Sequence, residues 1–216
     1  MKVIPREARK ITYSTEIRNL KKRLTLSHLQ KAVIVGSILG DGTLLPNWSK
    51  TNYKLRMRQS IKQKEYILWK YKIFKDWTLQ KPKYQEVNDS LSFATVSHKE
   101  ISELRKVFYG CGKKMIPKNI STFLKDPVTL AVWFMDDGNV IRRNGKVYGY
   151  HLNTQSFTRQ ENQNLSEALR RLYGIESLIE INHKKFRLRV MKKDSRERFK
   201  ALVNDYILES MRYKIS

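Results

Sequence analysis

The sequence predicts an α/β (α+β) protein built from two similar repeats, and two observations lead to this prediction. An apolar helical segment that ends in Asp-Gly occurs twice, so that Asp41 and Asp137 are 96 positions apart. Segments after each copy alternate apolar with cationic residues, as half-buried strands do. We therefore predict two pseudo-symmetric αββαββα repeats with antiparallel sheets, packed through their paired motif helices.

Helix-capping residues mark where the two motif helices begin. Ser27 and Gln30 have the spacing of a capping box, which predicts a helix that runs to about Leu39. In the second copy, Asp126 followed by Pro127 predicts an N-cap and a first helical residue. Asp41-Gly42 is expected to stop the first helix, since glycine adopts the left-handed conformation at little cost, and the second helix is expected to end at Asp137-Gly138.

The strands and the other helices follow from their periodicities. Residues 53–58 and 185–190 alternate apolar residues with cations, which predicts a buried and an outward face for each strand. Asn144-Gly145 predicts a hairpin turn between two short strands. Further helices are predicted at about 64–77, after Ser97, after Thr158 and around 199–206.

The repeats divide the chain into four predicted segments. These are a basic N-terminal extension (1–26), a first repeat (27–109), a linker (110–127) and a second repeat (128–216). The linker is expected to connect the two repeats within one structure.

Charge is the strongest compositional signal for function. The chain has 44 Lys and Arg against 20 Asp and Glu, for a formal net charge of +24, and its pI is about 10.1. Such an imbalance causes self-repulsion, which a polyanionic partner relieves, so nucleic acid is the expected partner. A ribosomal or a membrane-surface protein is the alternative that charge alone leaves open.

Cysteine usage and hydropathy indicate the setting. Cys111 is the only cysteine, so no intrachain disulfide is possible and a reducing, intracellular environment is expected. No apolar run approaches the roughly 18 residues of a membrane span, and residues 1–10 lack the apolar core of a secretory signal. We expect no membrane association, and a location in a mitochondrion, a chloroplast or a prokaryotic cytoplasm.

Each motif places a carboxylate at a helix C-terminus, where the backbone dipoles contribute partial negative charge. Two such helices packed side by side would bring Asp41 and Asp137 together into an oxygen-rich site suited to Mg²⁺. Gly36 and Gly40 lie on one face of the first helix and permit this close packing. The second helix has bulkier residues at the matching positions, so we predict an asymmetric pair.

The doubled helix ending in Asp-Gly within αββαββα repeats resembles the single-chain, two-repeat LAGLIDADG homing endonucleases. The segments 133–138 and 152–158 are similar to the intron-encoded meganuclease branch, and the resemblance covers about residues 27–214. It implies a monomer whose sheets form a DNA-binding saddle. It also implies a metal-dependent double-strand break with short 3′ extensions in a target of about 20 base pairs, with Mg²⁺ as cofactor and Mn²⁺ able to substitute.

The resemblance also implies roles for individual residues. Lys114 and Lys214, late in each repeat, correspond to lysines that neutralise the phosphate or orient the attacking water. Gln59 and Gln155 correspond to residues that follow a strand near the active site. The metal-site candidates are Asp41 and Asp137, each with the residue before it, Gly40 and Asp136. Asp136 aligns with Gly40, so Asp137 is the ligand candidate of the second copy.

The outward cations of the strands are the candidate DNA-binding face. Long side chains on a sheet can enter the major groove, where arginine recognises guanine through two hydrogen bonds. Phosphates nevertheless accept half or more of such contacts. The candidates are Lys54, Arg56, Arg58, Lys83, Gln85, Arg142, Arg143, Lys146, His183, Lys185, Arg187 and Arg189.

Two other functions are open to the same fold. An RNA-binding maturase would help its host intron RNA to fold and would need no aspartate pair. A nuclease-dead DNA-binding protein would tend to lack one carboxylate. The presence of both aspartates and both lysines favours the endonuclease.

Overall fold

The computed structural model describes residues 14–216, so the first half of the predicted basic extension lies outside the described residues. The helices are α1 (Thr15–Arg23), α2 (His28–Leu39), α3 (Lys64–Ile73), α4 (Lys99–Phe108), α5 (Pro127–Asp137), α6 (Arg159–Tyr173) and α7 (Lys193–Asn204). The strands are β1 (Thr43–Pro46), β2 (Tyr53–Ser60), β3 (Lys83–Gln85), β4 (Ser90–Ala94), β5 (Tyr109–Gly110), β6 (Lys113–Lys114), β7 (Gly138–Arg143), β8 (Lys146–Leu152), β9 (Leu178–Asn182) and β10 (Lys185–Val190).

The element order confirms the predicted αββαββα repeats. The first repeat is α2-β1-β2-α3-β3-β4-α4, and the second is α5-β7-β8-α6-β9-β10-α7. Each contains a four-stranded antiparallel sheet, in the orders β1-β2-β4-β3 and β7-β8-β10-β9. Two hairpins therefore join through their second strands in both sheets. None of the helices in the described part of the chain combines the length and apolar character needed to cross a membrane.

The chain forms two compact units whose boundaries differ from those of the sequence repeats. The first unit contains the residues up to Lys31 together with Thr43–Arg105, and the second contains Ala32–Gly42 and Lys106–Ser216. Most of α2 thus belongs to the same unit as α5. Asp41 and Asp137, the carboxylates of the two motifs, therefore both lie in this second unit.

Part of the basic extension forms a helix that the sequence patterns did not predict. Ser14 caps α1, and Ile17 is buried. Lys21 Nζ donates a hydrogen bond of 2.9 Å to Ser97 Oγ, and His98 Nε2 lies 3.2 Å from the carbonyl oxygen of Lys21. These contacts hold α1 against the start of α4, so the extension is a packed part of the first unit from Ser14 onward.

The predicted helix starts are confirmed by their caps. Ser27 N–H donates to Gln30 Oε1 at 3.0 Å, and Gln30 N–H donates to Ser27 Oγ at 3.2 Å, which completes the capping box of α2. Asp126 Oδ1 accepts from Val128 N–H at 2.8 Å, with Pro127 at the first position of α5. These local interactions fix where the two motif helices begin.

The left-handed conformation predicted for Gly42 is wrong. Neither Gly42 nor Gly138 has a positive φ, and Gly138 is extended at φ −96° and ψ 158°. A Cβ at Gly42 would lie 2.7 Å from Ser37 Cβ, and one at Gly138 would overlap the ring of Phe134. Glycine is required here because the backbone passes close to its own helix, and left-handed geometry is not the reason.

The hairpin turn at Asn144-Gly145 is confirmed, since both residues have positive φ, at 49° and 75°. Beneath the second sheet, Phe199 of α7 packs against Phe134 and Tyr150 with ring centroids 5.0 and 5.1 Å apart. The helices therefore cover one face of this sheet and leave its cationic face outward.

Candidate active site and nucleic-acid interface

Helices α2 and α5 pack through the glycines of the first motif. A Cβ at Gly36 would lie 2.6 Å from the Thr129 carbonyl oxygen and 2.8 Å from Val132 Cβ. A Cβ at Gly40 would overlap Asp136. The pair is asymmetric, as predicted, because the small residues of α2 accommodate the bulk of α5.

This contact makes Gly36 intolerant of any side chain. We expect Gly36→Ala to destabilise the protein by about 1–2 kcal/mol, since forced overlap outweighs the gain of about 1 kcal/mol in helix propensity. Gly36→Leu should cost more than Gly36→Ala. Urea unfolding measures both, and Ser37→Ala is the control, because Ser37 Oγ has no hydrogen-bond partner within residues 14–216. Equal stability of parent and Gly36→Ala would contradict the packing.

The carboxylates of the two motifs share one electrostatic environment. Asp41, two residues beyond the end of α2, is exposed. Asp137, the last residue of α5, is partly buried. Burial, together with the negative charges of Asp41 and Asp136, raises the pKa of Asp137 to about 7. The raised pKa indicates that, without a bound cation, a second negative charge beside Asp41 is unfavourable.

The two predicted lysines lie at the C-terminal ends of the motif helices. Lys114, in β6, donates from Nζ to the carbonyl oxygen of Gly40. Lys214, in the final 3₁₀ turn, donates to the carbonyl oxygens of Met135 at 2.5 Å and Asp136 at 3.0 Å. A cation at a helix C-terminus is favourable. Both lysines also lower the pKa of Asp137, so an ammonium group at each helix end acts on the same carboxylate.

The donor set fits a hard divalent cation. Carboxylates with backbone carbonyl groups nearby are oxygen ligands, which Mg²⁺ and Mn²⁺ prefer. Within residues 14–216, no group of three or more His, Cys, Asp and Glu side chains is arranged to hold a metal ion. The described part of the chain thus supplies a carboxylate pair without a closed cage of ligands. Such a pair suits Mg²⁺, which keeps several waters and binds through one or two carboxylates plus substrate phosphates.

The raised pKa of Asp137 has a consequence for stability. Its folded value of about 7 exceeds the ordinary 3.8, so the folded protein binds this proton more tightly than the unfolded chain does. Without metal, stability from this group is therefore lost as the pH rises from about 4 to about 7. We expect Asp137→Asn to be more stable than the parent in EDTA at pH 8, by up to about 4 kcal/mol, and less so at pH 5.

Urea unfolding of parent and Asp137→Asn at both pH values measures this difference. Mg²⁺ at pH 8 should stabilise the parent and leave the variant nearly unchanged. A variant that is no more stable than the parent in EDTA at pH 8 would contradict the electrostatic account.

The equivalence predicted between Gln59 and Gln155 is wrong. Gln59 lies within β2 on its buried face, so it does not begin a loop, whereas Gln155 lies in the turn after β8. Arg56 pairs with the second residue after Asp41, and His151 pairs with the second residue after Asp137. Gln59 therefore matches Thr154. The spacing between the two Asp-Gly motifs does not apply here, because Gln59 follows Asp41 by one residue more than Thr154 follows Asp137.

The first sheet presents a cationic outer face. Leu55 and Met57 are buried, and the alternate side chains of β2 point the other way. Arg58 pairs with Ser92, which pairs with Lys83 on the next strand, and Gln85 Nε2 donates to Ser92 Oγ at 3.1 Å. A cleft of about 920 Å³ lies over this face. Its lining includes Lys54, Arg56, Lys83, Gln85 and Ser92.

Trp48 is a residue that the sequence analysis missed. It lies in the turn between β1 and β2, is 94% exposed and lines the same cleft. Its position beside a cationic face makes it a candidate for contact with nucleic acid, since aromatic rings stack on bases. The Asn-Trp-Ser-Lys run between two strands was the available signal, because a tryptophan in a polar turn has no core to fill.

On the second sheet, Leu188 and Val190 are buried, while Lys185, Arg187 and Arg189 lie on the opposite face, as their alternation predicts. The remaining candidates are near the ends of the hairpins. Arg142 donates to the carbonyl oxygens of Gly145 and Ser216. Arg143 lies over the ring of Tyr148, and Lys146 is exposed. His183 has a positive φ in the turn before β10. Arg142 is thus directed towards Ser216, unlike Arg187 and Arg189 of β10, which contact Glu180.

A polar network that the sequence analysis missed crosses this outer face. Asn153 N–H donates to the carbonyl oxygen of Asp137 at 2.9 Å, and Asn153 Nδ2 donates to Asn139 Oδ1 at 3.0 Å. Asn139 Nδ2 lies 3.4 Å from His151 Nδ1, and His151 Nε2 lies 3.1 Å from Glu180 Oε2. Strand alternation at 178–182 was the only sequence signal that Glu180 shares the cationic face.

Two αββαββα repeats, each with an aspartate and a lysine at the end of a glycine-packed motif helix, define a two-repeat homing-endonuclease fold. A model of the LAGLIDADG DNA endonuclease family matches residues 31–199. The chain therefore belongs to the LAGLIDADG DNA endonuclease family, which confirms the resemblance found in the sequence.

Individual relatives agree with this assignment. The chain is 30% identical over 209 residues to a probable intron-encoded endonuclease 1 of Wickerhamomyces canadensis, covering 92% of this chain and 89% of the relative. It is 28% identical over 215 residues to a cytochrome b mRNA maturase bI2 of Debaryomyces hansenii, covering 93% and 78%. Its fold matches that of the homing endonuclease I-WcaI bound to its DNA recognition sequence, with a TM-score of 0.84, 28% identity and coverage of 94% and 93%.

Proposed function

We propose that this protein is a homing endonuclease that makes a site-specific, Mg²⁺-dependent double-strand break in a long duplex DNA target. The observation that carries the proposal is the carboxylate pair at the ends of two directly packed helices, with one lysine at each end. The names of the relatives and the net charge of +24 support DNA as the substrate.

In this proposal Asp41 and Asp137 hold the divalent cations, and Gly40 and Asp136 supply nearby backbone carbonyl groups. When bound, Mg²⁺ would offset charge on the scissile phosphate and favour ionisation of a water molecule. Lys114 and Lys214, fixed by the carbonyl groups at the helix ends, place positive charge beside the same phosphates. Each motif contributes one carboxylate and one lysine, which matches the cleavage of two strands.

The outer faces of the two sheets bind the DNA in this proposal. Cations on β2, β3 and β10 contact phosphates or bases, and Trp48 adds an apolar contact in the first unit. Two half-sites of about one helical turn each give a target of about 20 base pairs. We propose that the protein acts as an intracellular monomer and leaves short 3′ extensions.

A plasmid test addresses this function. The DNA on either side of the host intron, joined without the intron (the exon junction), is cloned as the target, and plasmid linearisation is followed in Mg²⁺, in Mn²⁺ and in EDTA. We expect linear product with either metal and none in EDTA, and none from the same plasmid without the insert. Equal cutting of both plasmids, or cutting in EDTA, would contradict site-specific, metal-dependent cleavage.

A maturase is the second candidate, because one similar relative is named a cytochrome b mRNA maturase. Host intron RNA would then bind the cationic surface. Splicing of the intron transcript with and without the protein tests this function, and Asp41→Asn should leave it intact since RNA binding needs no aspartate pair.

A further inference from the structure

The outer face of the second sheet carries one carboxylate among its cations. Glu180, on β9, pairs across the sheet with Arg187 of β10. Its Oε2 accepts from Arg187 Nε at 2.8 Å, and its Oε1 accepts from Arg189 Nη1 at 3.1 Å. A negative charge on a surface that binds a polyanion weakens the attraction, so this carboxylate acts against affinity.

The Glu180 carboxylate orients the side chains of Arg187 and Arg189. Arg187 is bonded through Nε, and within residues 14–216 its two terminal Nη groups have no other hydrogen-bond partner. Arg189 is bonded through Nη1 alone, and its Nε has no partner in the same part of the chain. The two terminal N–H groups of a guanidinium match O6 and N7 of guanine in the major groove. The hydrogen bond from Nε to Glu180 thus restricts the rotation of the Arg187 side chain, while its two terminal Nη groups stay available to a guanine.

Glu180 is itself held in place by polar contacts to Arg187, Arg189 and His151. Burial alone would raise the pKa of Glu180, but the hydrogen bond and charge of Arg187, with Arg189 and His151, lower it overall. Burial and the charge of Arg187 lower the pKa of His151. His151 Nε2 lies 3.1 Å from Glu180 Oε2, and its Nδ1 lies 3.4 Å from Asn139 Nδ2 on the other side of the ring. Both oxygens of Glu180 are therefore fixed relative to the sheet.

We infer that Glu180 is a positioning residue that fixes Arg187 and Arg189 for recognition of a guanine in one half-site of the DNA target. The inference rests on the proposed function, because it takes the outer face of the second sheet as a DNA-binding surface. Glu180 increases discrimination between base pairs and decreases affinity for DNA in general.

The test is a competition binding assay in EDTA, with the exon-junction duplex and a set of duplexes that each carry one base-pair substitution. For Glu180→Gln we expect preference at one or two G·C pairs of a single half-site to fall about tenfold. Binding to DNA without the site should stay equal or become tighter. A residue with only a structural role would change thermal stability and leave the preference profile as in the parent.

Glu167→Gln is the matched control, because it removes the same charge from an exposed ion pair with Arg170 on α6. Its profile should equal that of the parent. Arg187→Lys is the second variant, used also if Glu180→Gln fails to fold, since lysine keeps the charge and loses the planar fork. It should lose preference at the same base pairs.

The outcomes separate this inference from the proposed function. A parent protein that binds the exon-junction duplex no better than random duplexes, and does not cut it, would contradict the proposed function. A parent that discriminates, with Glu180→Gln and Arg187→Lys profiles unchanged, would overturn the role of Glu180 alone. Relaxed preference at scattered positions in both half-sites would also overturn it.

Discussion

Asp41→Asn and Asp137→Asn are each expected to reduce double-strand cleavage by at least about 10³-fold. Asparagine keeps the shape of the side chain but removes the charge with which Asp41 and Asp137 would hold a divalent cation in the proposed function. DNA binding should persist, because the proposed DNA contacts lie mostly on the outer faces of the sheets and one repulsive charge is lost. Linearisation of the target plasmid measures cleavage, and gel-shift titration in EDTA measures binding.

Asp205→Asn is the control for these variants, since Asp205 is an exposed aspartate just beyond α7. It should cut at the rate of the parent. If Asp41→Asn or Asp137→Asn linearises the plasmid as fast as Asp205→Asn does, the carboxylate pair does not hold the catalytic metal.

Affinity for DNA should depend steeply on salt. If the cationic faces neutralise about 6–10 phosphates, binding should weaken by about 10³–10⁵-fold between 50 and 200 mM salt. The physical reason is that each neutralised phosphate releases condensed counterions, and added salt opposes this release. Fluorescence anisotropy of a labelled target duplex in EDTA, at a series of salt concentrations, gives the slope.

Two lysines of the second unit test which surface is responsible. Lys185 is exposed on the outer face of β10, whereas Lys200 is exposed on α7, which packs against the inner face through Phe199. Lys185→Ala should reduce the log–log slope by about 0.9 and Lys200→Ala should not. A slope near zero for the parent, or equal effects of both substitutions, would place the DNA on another surface.

Local patterns were sufficient to predict most of the fold. Ser27 with Gln30 and Asp126 with Pro127 identify helix starts, because a cap involves residues within four positions of each other. Alternation in β2 and β10 identifies the buried faces for the same reason. The two Asp-Gly motifs then indicate a repeat, and a repeat with one aspartate per copy indicates the carboxylate pair.

What could not be predicted depends on contacts between distant segments. The docking of α1 requires Lys21 to reach Ser97, 76 positions away. The pairing of Glu180 with two arginines requires the register of β9 against β10. The position of Gln155 depends on hairpin length, which the motif offset did not include. Periodicity assigns a residue to a face, but register decides its neighbours.

Strand-resolved cleavage of the exon-junction target tests the central claim most directly. Each strand of the duplex is labelled separately at its 5′ end, and the parent protein is added in Mg²⁺ or in EDTA. The account predicts one break per strand in Mg²⁺, a few base pairs apart with 3′ extensions, and intact strands in EDTA. Breaks that form equally in EDTA, or that persist in the Asp41→Asn, Asp137→Asn double variant, would contradict it.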